Sequence, residues 1–480
     1  MAVQNKVVSI NRIRAGAYDG ASQTERALSW NADAPGSANT QLLPQLNTLR
    51  NRSRSAYRNH PYIFKAINTL VSDEIGEGIM PRSTSANKIE LNAYWKEVSK
   101  HFDPEGVLDF SGMLTVMAVG KRVSGEIFIR KRIRRGAGYG SPLQLQVLES
   151  EFLSEALNKS LPNGNRVVGG IEFNKRGQRV AYYFYTEHPG GNGNSWQFNQ
   201  KTVRIRARDV IHYYAPKRVG MVRGEPDASQ SLLKTYSLEA YSLAESARKA
   251  AKSSYTGIIT RNPEVFSLDE DETLVEQGAT QIQPNSMLEL LPGEDATLME
   301  GDNAGTGFDL YMDETLRSIA AGFEIPFELL TGNWSNVNDR LVRAINNSYR
   351  RRIKTEQALT INQVCNTVWQ WLMEASVLTG FRDVSMDEAT QVEWIPSAWN
   401  YENPVQDVQA RLMEVDGGLR SRSSVVAERG LDIEEVDAAR REDKDREESL
   451  DLTQGKPEAA SATGNPANSN APSKPSKPTR

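Results

Sequence analysis

The residues of this 480-residue chain best placed to do chemistry together are cations. They lie in "GNWSNVNDRLVRAINNSYRRRIKTEQ", residues 332–357. On a helix, Arg340, Arg343, Asn347, Arg350, Arg351 and Lys354 fall within an arc of roughly 100°. Leu341, Val342, Ile345, Tyr349 and Ile353 take the opposite side. A cationic stripe backed by an apolar face suits acidic groups, either carboxylates of a neighbouring subunit or phosphates. It is also what a solvated helix face looks like. Ahead of it, Asn333, Trp334, Ser335, Asn336 and Asn338 form a polar, turn-rich stretch with one large residue.

Catalytic groups are harder to assemble. The histidines, His60, His101, His188 and His212, are scattered, and no HExxH motif occurs. "GKR" at 120 and "GKP" at 455 lack the glycine spacing and Ser/Thr of a phosphate loop. "GAGYG" at 136–140 follows a basic run and opens no helix, so it reads as an exposed loop. "DEDE" at 269–272 lacks EF-hand spacing and reads as a solvated face. Cys365, the single cysteine, excludes a disulfide within the chain and a cysteine-based zinc site. The residues therefore point to no catalytic group, no metal ligands and no cofactor.

The totals bound the class. The length calls for more than one lobe. A net charge of -4 is far from the basic excess of a free DNA binder, so any contact with nucleic acid is local or non-adhesive. The N-terminus has no apolar run of a signal peptide, and no stretch approaches the length of a membrane span.

Elements that must position the stripe follow from periodicity. Residues 1–40 are rich in Ala, Ser, Asn and Gly and read as a flexible arm. Helices are expected at roughly 45–59 and 61–75, restarted by Pro61 and stopped at Gly76 and Gly78, and again over 88–123. Strand patterns follow in "GEIFIRKRI", "LQLQVLES", "VVGGIEFNKRGQRVAYYFY" and "DVIHYYAP", with a hairpin turn at Lys175–Gly177. One long helix is expected over 227–254, capped by Asp227 and carrying Ala240, Ala244, Ala247 and Ala251 as a small-residue stripe. Short strands and acidic turns fill 257–310, a helix spans 311–323, and a very long helix runs near 338–378. A strand "VEWIPSAW", a charged helical segment at 403–447 and a Pro/Ser/Ala/Asn-rich disordered tail close the chain.

The order of these segments resembles the lambda-like portal family of tailed phages over about 40–447. The resemblance rests on "LRNRSRSAYRNHPYIFKAINTLVSDEIGEGIMP", on "FSGMLTVMAVGKRVSGEIFI" with Gly125 and Glu126, and on the hairpin segment "VVGGIEFNKRGQRVAYYFYTEHP". It rests too on "ARDVIHYYAPKRVGMVRGEP" with His212, Arg218, Gly220, Arg223 and Gly224, and on "GFEIPFELLTGNWSNVNDRLVRAINNSYRR". Met221 departs from the pattern, standing where glutamine is expected. These are shape motifs and carry no reaction.

The resemblance implies a mixed α+β portal fold with an α/β wing, a helical stem, a small strand-rich clip and a helical crown. Its parts would be a flexible arm (1–40), wing (41–226), stem helix (227–256), clip (257–310) and second stem helix (311–325). A tunnel-loop region (326–340), long wing helix with return strand (341–402), crown (403–447) and disordered tail (448–480) would follow. It further implies a non-enzymatic ring, commonly of twelve subunits, at the capsid vertex of the virion, assembled in the host cytoplasm. Its partners would be further copies of itself, double-stranded DNA in the channel, the terminase large subunit, head-tail connector or adaptor proteins, and capsid and scaffold proteins, with no membrane. Asn333, Trp334, Ser335, Asn336 and Asn338 would then face the channel. Arg340, Arg343, Arg350, Arg351 and Lys354 would meet a neighbouring subunit or DNA, and the alanine stripe would pack in the stem. Two other readings compete: a metal-dependent nucleic-acid enzyme subunit, and a helical adaptor that never touches DNA.

Overall fold

The structure is a computed structural model. It describes residues 36–134, 142–191, 201–254, 257–261, 294–298, 307–335, 337–378, 391–399, 403–450 and 452, with the side chains of 251–254, 257–261, 294–298 and 378 outside the description. The "GAGYG" and "DEDE" segments, most of the N-terminal arm and of the expected clip, and nearly all of the tail lie outside the described residues. The chain divides into two units, Met1–Pro396 and Ser397–Arg480.

Helix α1 spans Ala38–Asn59, several residues longer than expected, because Ser37 caps it by accepting from the Thr40 N–H at 3.2 Å. It buries Ala38, Leu42 and Leu46 against Met221, so the side chain that departs from the family pattern fills an apolar contact. His60 is extended, and Pro61 opens α2, Pro61–Ile75, which ends at left-handed Gly76. The expected helix over 88–123 is two helices, α3 (Lys88–Val98) and α4 (Phe110–Ser124). Between them Asp103 accepts from the N–H groups of Glu105, Val107 and Leu108, and Asp109 caps α4 through Gly112 N–H at 2.8 Å. That turn chemistry breaks a pattern that periodicity alone reads as continuous.

Strand β1 (Met80–Ser83) stands apart from the sheets that follow. Strands β2 (Glu126–Ile133), β3 (Leu143–Glu149) and, later, β9 (Val210–Tyr214) form one antiparallel sheet in the order β3-β2-β9. Between β3 and β9 come β4 (Lys159–Ser160), β5 (Arg166–Val168), β6 (Ile171–Phe173), β7 (Arg179–Tyr185) and β8 (Thr202–Arg206), an antiparallel meander. The expected hairpin turn is present, with Gly177 at φ 79°. Phe128, Leu148 and Val210 of the first sheet share one core with Ile171, Phe173, Tyr182, Phe184 and Ile205 of the second.

Helix α5 is Leu232–Ser254. Asp227 does not cap it. It opens a separate 3₁₀ turn, Asp227–Gln230, and gives its carboxylate to Arg122 at 2.9 Å. Strands β10 (Gly257–Arg261) and β11 (Glu294–Leu298) pair antiparallel. Helix α6 (Phe308–Phe323) starts earlier than expected and packs on α5, with Tyr241 against Phe308 and Tyr311. A short helix, α7 (Phe327–Thr331), then leads to α8 (Asp339–Thr360), a π-helical turn (Ile361–Cys365) and α9 (Asn366–Leu378). Strand β12 (Val392–Ile395) returns to pair with β1. Trp95, Phe102, Phe110, Trp369 and Trp394 cluster with ring centroids 5.1–6.3 Å apart and so join α3, α4, α9 and β12.

The second unit holds α10 (Pro404–Asp416), α11 (Arg422–Ala427) and α12 (Ile433–Ser449), none with a buried residue. Asn403, Ser421 and Asp432 cap them in turn. Among the described residues no helix is long and apolar enough to cross a membrane.

Candidate functional site

The polar stretch and the basic helix form one continuous feature. Helix α7 ends because Gly332 takes φ 76°, a left-handed position. Thr331 Oγ1 accepts from Asn333 N–H at 3.2 Å, and Asn333 Oδ1 accepts from the Ser335 N–H and hydroxyl at 3.1 and 2.6 Å. Asn338 caps α8, accepting from Leu341 N–H at 2.9 Å. Asn333, Ser335, Asn338 and Trp334 are all exposed, Trp334 to 40%, while Asn336 lies outside the described residues. The side-chain oxygens of Asn333 and Asn338 are thus engaged within the loop, and their amide N–H₂ donors have no partner among the described residues.

Helix α8 divides its charges between two faces. Its inner side buries Tyr349, Ile353, Gln357 and Thr360. Tyr349 donates to Asp73 at 2.7 Å, and Arg350 acts on the same carboxylate. Arg350 is therefore drawn toward α2 instead of belonging only to an outward stripe. Arg352 bridges Glu324 at 2.6 Å and Glu356 at 2.7 Å. Arg340, Arg351 and Lys354 are exposed and Arg343 is half-buried; none has an acidic partner among the described residues.

Behind α8 lies a buried ion cluster that the sequence reading did not identify. Glu74 of α2 accepts from Arg122, from Lys121 at 3.3 Å, from the Tyr213 hydroxyl at 2.7 Å and from Thr360. Glu356 accepts from Lys121 at 2.7 Å. Three carboxylates (Glu74, Asp227, Glu356) thus meet three cations (Lys121, Arg122, Arg352). Burial alone would raise the Glu74 carboxyl, but Lys121 and Arg122 outweigh it and hold the group well below the usual carboxylate range. Glu356 is held at about 2 by the same balance of burial against Lys121 and Arg122. The cluster ties α2, α4, β9, α8 and the turn before α5. Its one signal in the sequence is charge on an apolar helix face, Glu74 beside Leu70, Val71 and Ile75.

A second buried cluster gathers residues from separate family-like segments. Glu126 accepts from Arg223 Nε at 2.6 Å, His212 Nε2 at 2.8 Å and Gly224 N–H at 2.9 Å. Arg223 also donates to the carbonyls of Ser150, Leu153 and Gly169. His212 Nδ1 accepts from Arg179 at 3.2 Å, which places the ring proton on Nε2 toward Glu126. Burial, only partly opposed by Glu126, lowers the His212 pKa to about 4, so the ring is neutral at pH 7. Gly125 and Gly224 cross so closely that a Cβ on Gly224 would sit 2.0 Å from the Gly125 carbonyl oxygen. Arg218 and Gly220 hold the start of α1 instead, through Gln41, Gly36 and Asn39.

Glu149, Glu151 and His188 place three potential metal-ligand atoms within 4.8 Å of one another. The arrangement does not fit a cation well. Arg54 already lies 2.6 Å from Glu151, and His188 Nδ1 accepts from Gly190 N–H at 3.0 Å, which leaves the proton on the Nε2 that would face the ion. His60 pairs with Glu239 at 2.8 Å. A groove of about 990 Å³ between β9 and α9 is lined by Lys131, Arg179 and Gln363 among others. Lys131 is paired with Glu374, and the Gln363 amide bonds both the N–H and the carbonyl of Tyr214, closing the edge of β9.

The alanine stripe is uncovered. Helix α5 turns Thr235 and Leu238 inward, while Ala240, Ala244 and Ala247 are exposed, and the Ala251 side chain lies outside the description. Leu233, Tyr236 and Leu243, also exposed, extend the same face.

Most of this chain is similar to known proteins. The family model described as phage portal protein, lambda family, matches residues 23–357. A probable portal protein of Halomonas phage phiHAP-1 is 25% identical over 436 residues, covering 87% of this chain and 84% of the relative. Portal protein B of Escherichia phage lambda is 22% identical over 456 residues, covering 85% of each. Among solved structures, a chain from the neck of an empty gene transfer agent particle aligns with a TM-score of 0.48 at 17% identity, over 85% of this chain and 98% of that one.

Proposed function

Because this chain belongs to the lambda family of phage portal proteins, connectors at the capsid vertex, we propose that its copies close into a ring, with twelve the common number in the family, around a channel for double-stranded DNA. The ring carries the genome inward during packaging and outward at ejection. It docks the terminase large subunit first and head-tail connector proteins afterwards, within a shell of capsid and scaffold proteins. Its work is that of a shaped conduit and not of a catalyst. In this reading residues 41–226 and 341–402 build the wing, 227–256 and 311–325 the stem helices, 257–310 the clip, 331–339 the tunnel loop and 403–447 the crown.

The loop carries the proposal. Gly332–Ser335 and Asn338 are exposed, the stretch from Gly332 to Asn338 carries no fixed charge, and Asn333 and Asn338 offer amide donors whose partner oxygens are already engaged within the loop. Phosphate oxygens only accept hydrogen bonds, so such a lining contacts DNA without the counterion release that makes a cationic surface adhesive. Negative-stain imaging of the purified chain tests the ring: annular particles with a central hole are expected, and compact monomers would count against it. Replacing Asn336 and Asn338 with Lys tests the lining. Packaging should slow at low salt and recover as salt rises. An unchanged packaging rate at low salt would remove the loop from the channel.

A further inference from the structure

Helix α6 carries a second set of unmatched charges. Asp309, Asp313 and Glu314 are exposed, and none has a cationic partner among the described residues. Asp309 stands in the first turn, where the helix dipole favours an acid, but Asp313 and Glu314 lie beyond it. Arg317 sits at i+4 and i+3 from them, the spacing of a helix ion pair, yet stacks on Phe327 with its guanidinium carbon 4.2 Å from the ring centre. On α8 the outward Arg340, Arg343, Arg351 and Lys354 are unmatched in the opposite sense. Like charges at i, i+3 and i, i+4 on one helix repel. Each set therefore costs the lone chain some stability that an opposite surface would restore.

Within one chain the acids do not reach the cations nearest the junction of the two helices. Helix α6 approaches α8 through Glu324 and Arg352, 2.6 Å apart. Asp313 is removed from Glu324 by about 16 Å of helix rise, well past the roughly 8–10 Å over which salt leaves surface charges able to interact. The acids therefore lie out of reach of Arg351 and Lys354, the cations beside that junction.

We propose that the acidic edge of α6 (Asp309, Asp313, Glu314) in one subunit seats against the outward basic stripe of α8 (Arg340, Arg343, Arg351, Lys354) in the next. The inference rests on the ring reading and names the contact that closes it. A head-to-tail contact of this kind uses two different surfaces of each chain, as a closed ring requires. It also leaves the stripe neutralised by protein and not held to DNA.

The test is a charge swap in the full chain, read by native mass spectrometry and sedimentation velocity at matched subunit concentration. D313R/E314R and R351E/K354E should each lower the ring fraction by roughly tenfold or more, and the four substitutions combined should restore it. Circular dichroism should stay at the wild-type level in all three, since every altered side chain is exposed. Independently, D313C with K354C should give subunit ladders with a bismaleimide, because Cys365 is buried and adds no background. Undiminished rings in D313R/E314R, or no recovery in the combined variant, would overturn the contact while leaving the ring. So would intact rings in R351E/K354E that retain less DNA, which would assign the stripe to nucleic acid. A wild-type chain that stays monomeric at low salt would overturn contact and ring together.

Discussion

The two sides of α8 treat charge in opposite ways. On the inner side Arg352 and Glu356 join Lys121, Arg122, Glu74 and Asp227 in a closed set in which every cation meets a carboxylate. On the outer side Arg340, Arg351 and Lys354 meet no acid among the described residues. Buried charge survives only when paired, because removing one partner strands the other in low dielectric. Exposed charge needs no partner within the chain and is free to face another molecule. One helix thus anchors the fold with one face and presents a surface with the other.

The largest expected effect breaks the inner side. Arg122→Ala removes the cation that Glu74 and Asp227 share and should cost about 3–5 kcal/mol in urea unfolding, whereas Arg351→Ala should stay within about 0.5 kcal/mol. Equal costs for the two would erase the contrast.

Next comes pH, acting through the second buried cluster. His212 is held neutral at about 4 from an ordinary value of 6.5, so the unfolded chain binds the extra proton between those values. Stability is therefore full above pH 6.5 and is lost as pH falls to 4, by about 3 kcal/mol. The carboxylates Glu74 and Glu126 contribute their loss lower still, since both sit below the usual range. Thermal melts of His212→Gln should be flatter than wild type between pH 6.5 and 4; an identical slope would show that His212 is not the titrating group.

A smaller effect concerns surfaces the chain leaves open. Ala244→Leu with Ala247→Leu should overpack a stem contact by about 1–3 kcal/mol per site and deplete rings in native mass spectrometry. Monomer melting should not move, because both positions are exposed. Undiminished rings would mean that the stripe faces solvent. Last is Trp334→Ala: the side chain is 40% exposed, so melting should fall only modestly while DNA retention falls. A large drop in melting temperature with normal retention would make Trp334 an anchor of the wing.

Much of the architecture was legible because it is local. The strand run from "GEIFIRKRI" to "DVIHYYAP" alternates or branches as strands do, and Pro61 marks where α2 restarts. The break between α3 and α4 was not legible, since it depends on one aspartate collecting three N–H groups instead of on hydropathy. Asp227 looked like a cap by type and position, but a buried arginine from α4 claims its carboxylate. For the loop, sequence supplied the residue types; that Asn333 and Asn338 have their oxygens already engaged follows from backbone geometry.

Periodicity and chemistry of neighbours along the chain determined α8 as an amphipathic helix and the segments that form strands. Each of these depends on residues a few positions apart, and helix and strand geometry fix what such residues share. Tertiary structure alone decided that Glu74 would be ringed by Lys121, Arg122, Tyr213 and Thr360, and that Glu126 would find Arg223 and His212. It alone brought Gly125 against Gly224, where no side chain fits. A charge's partner is set by where distant segments cross, and burial makes that partner indispensable; neither the crossing nor the burial is written in the spacing of nearby residues.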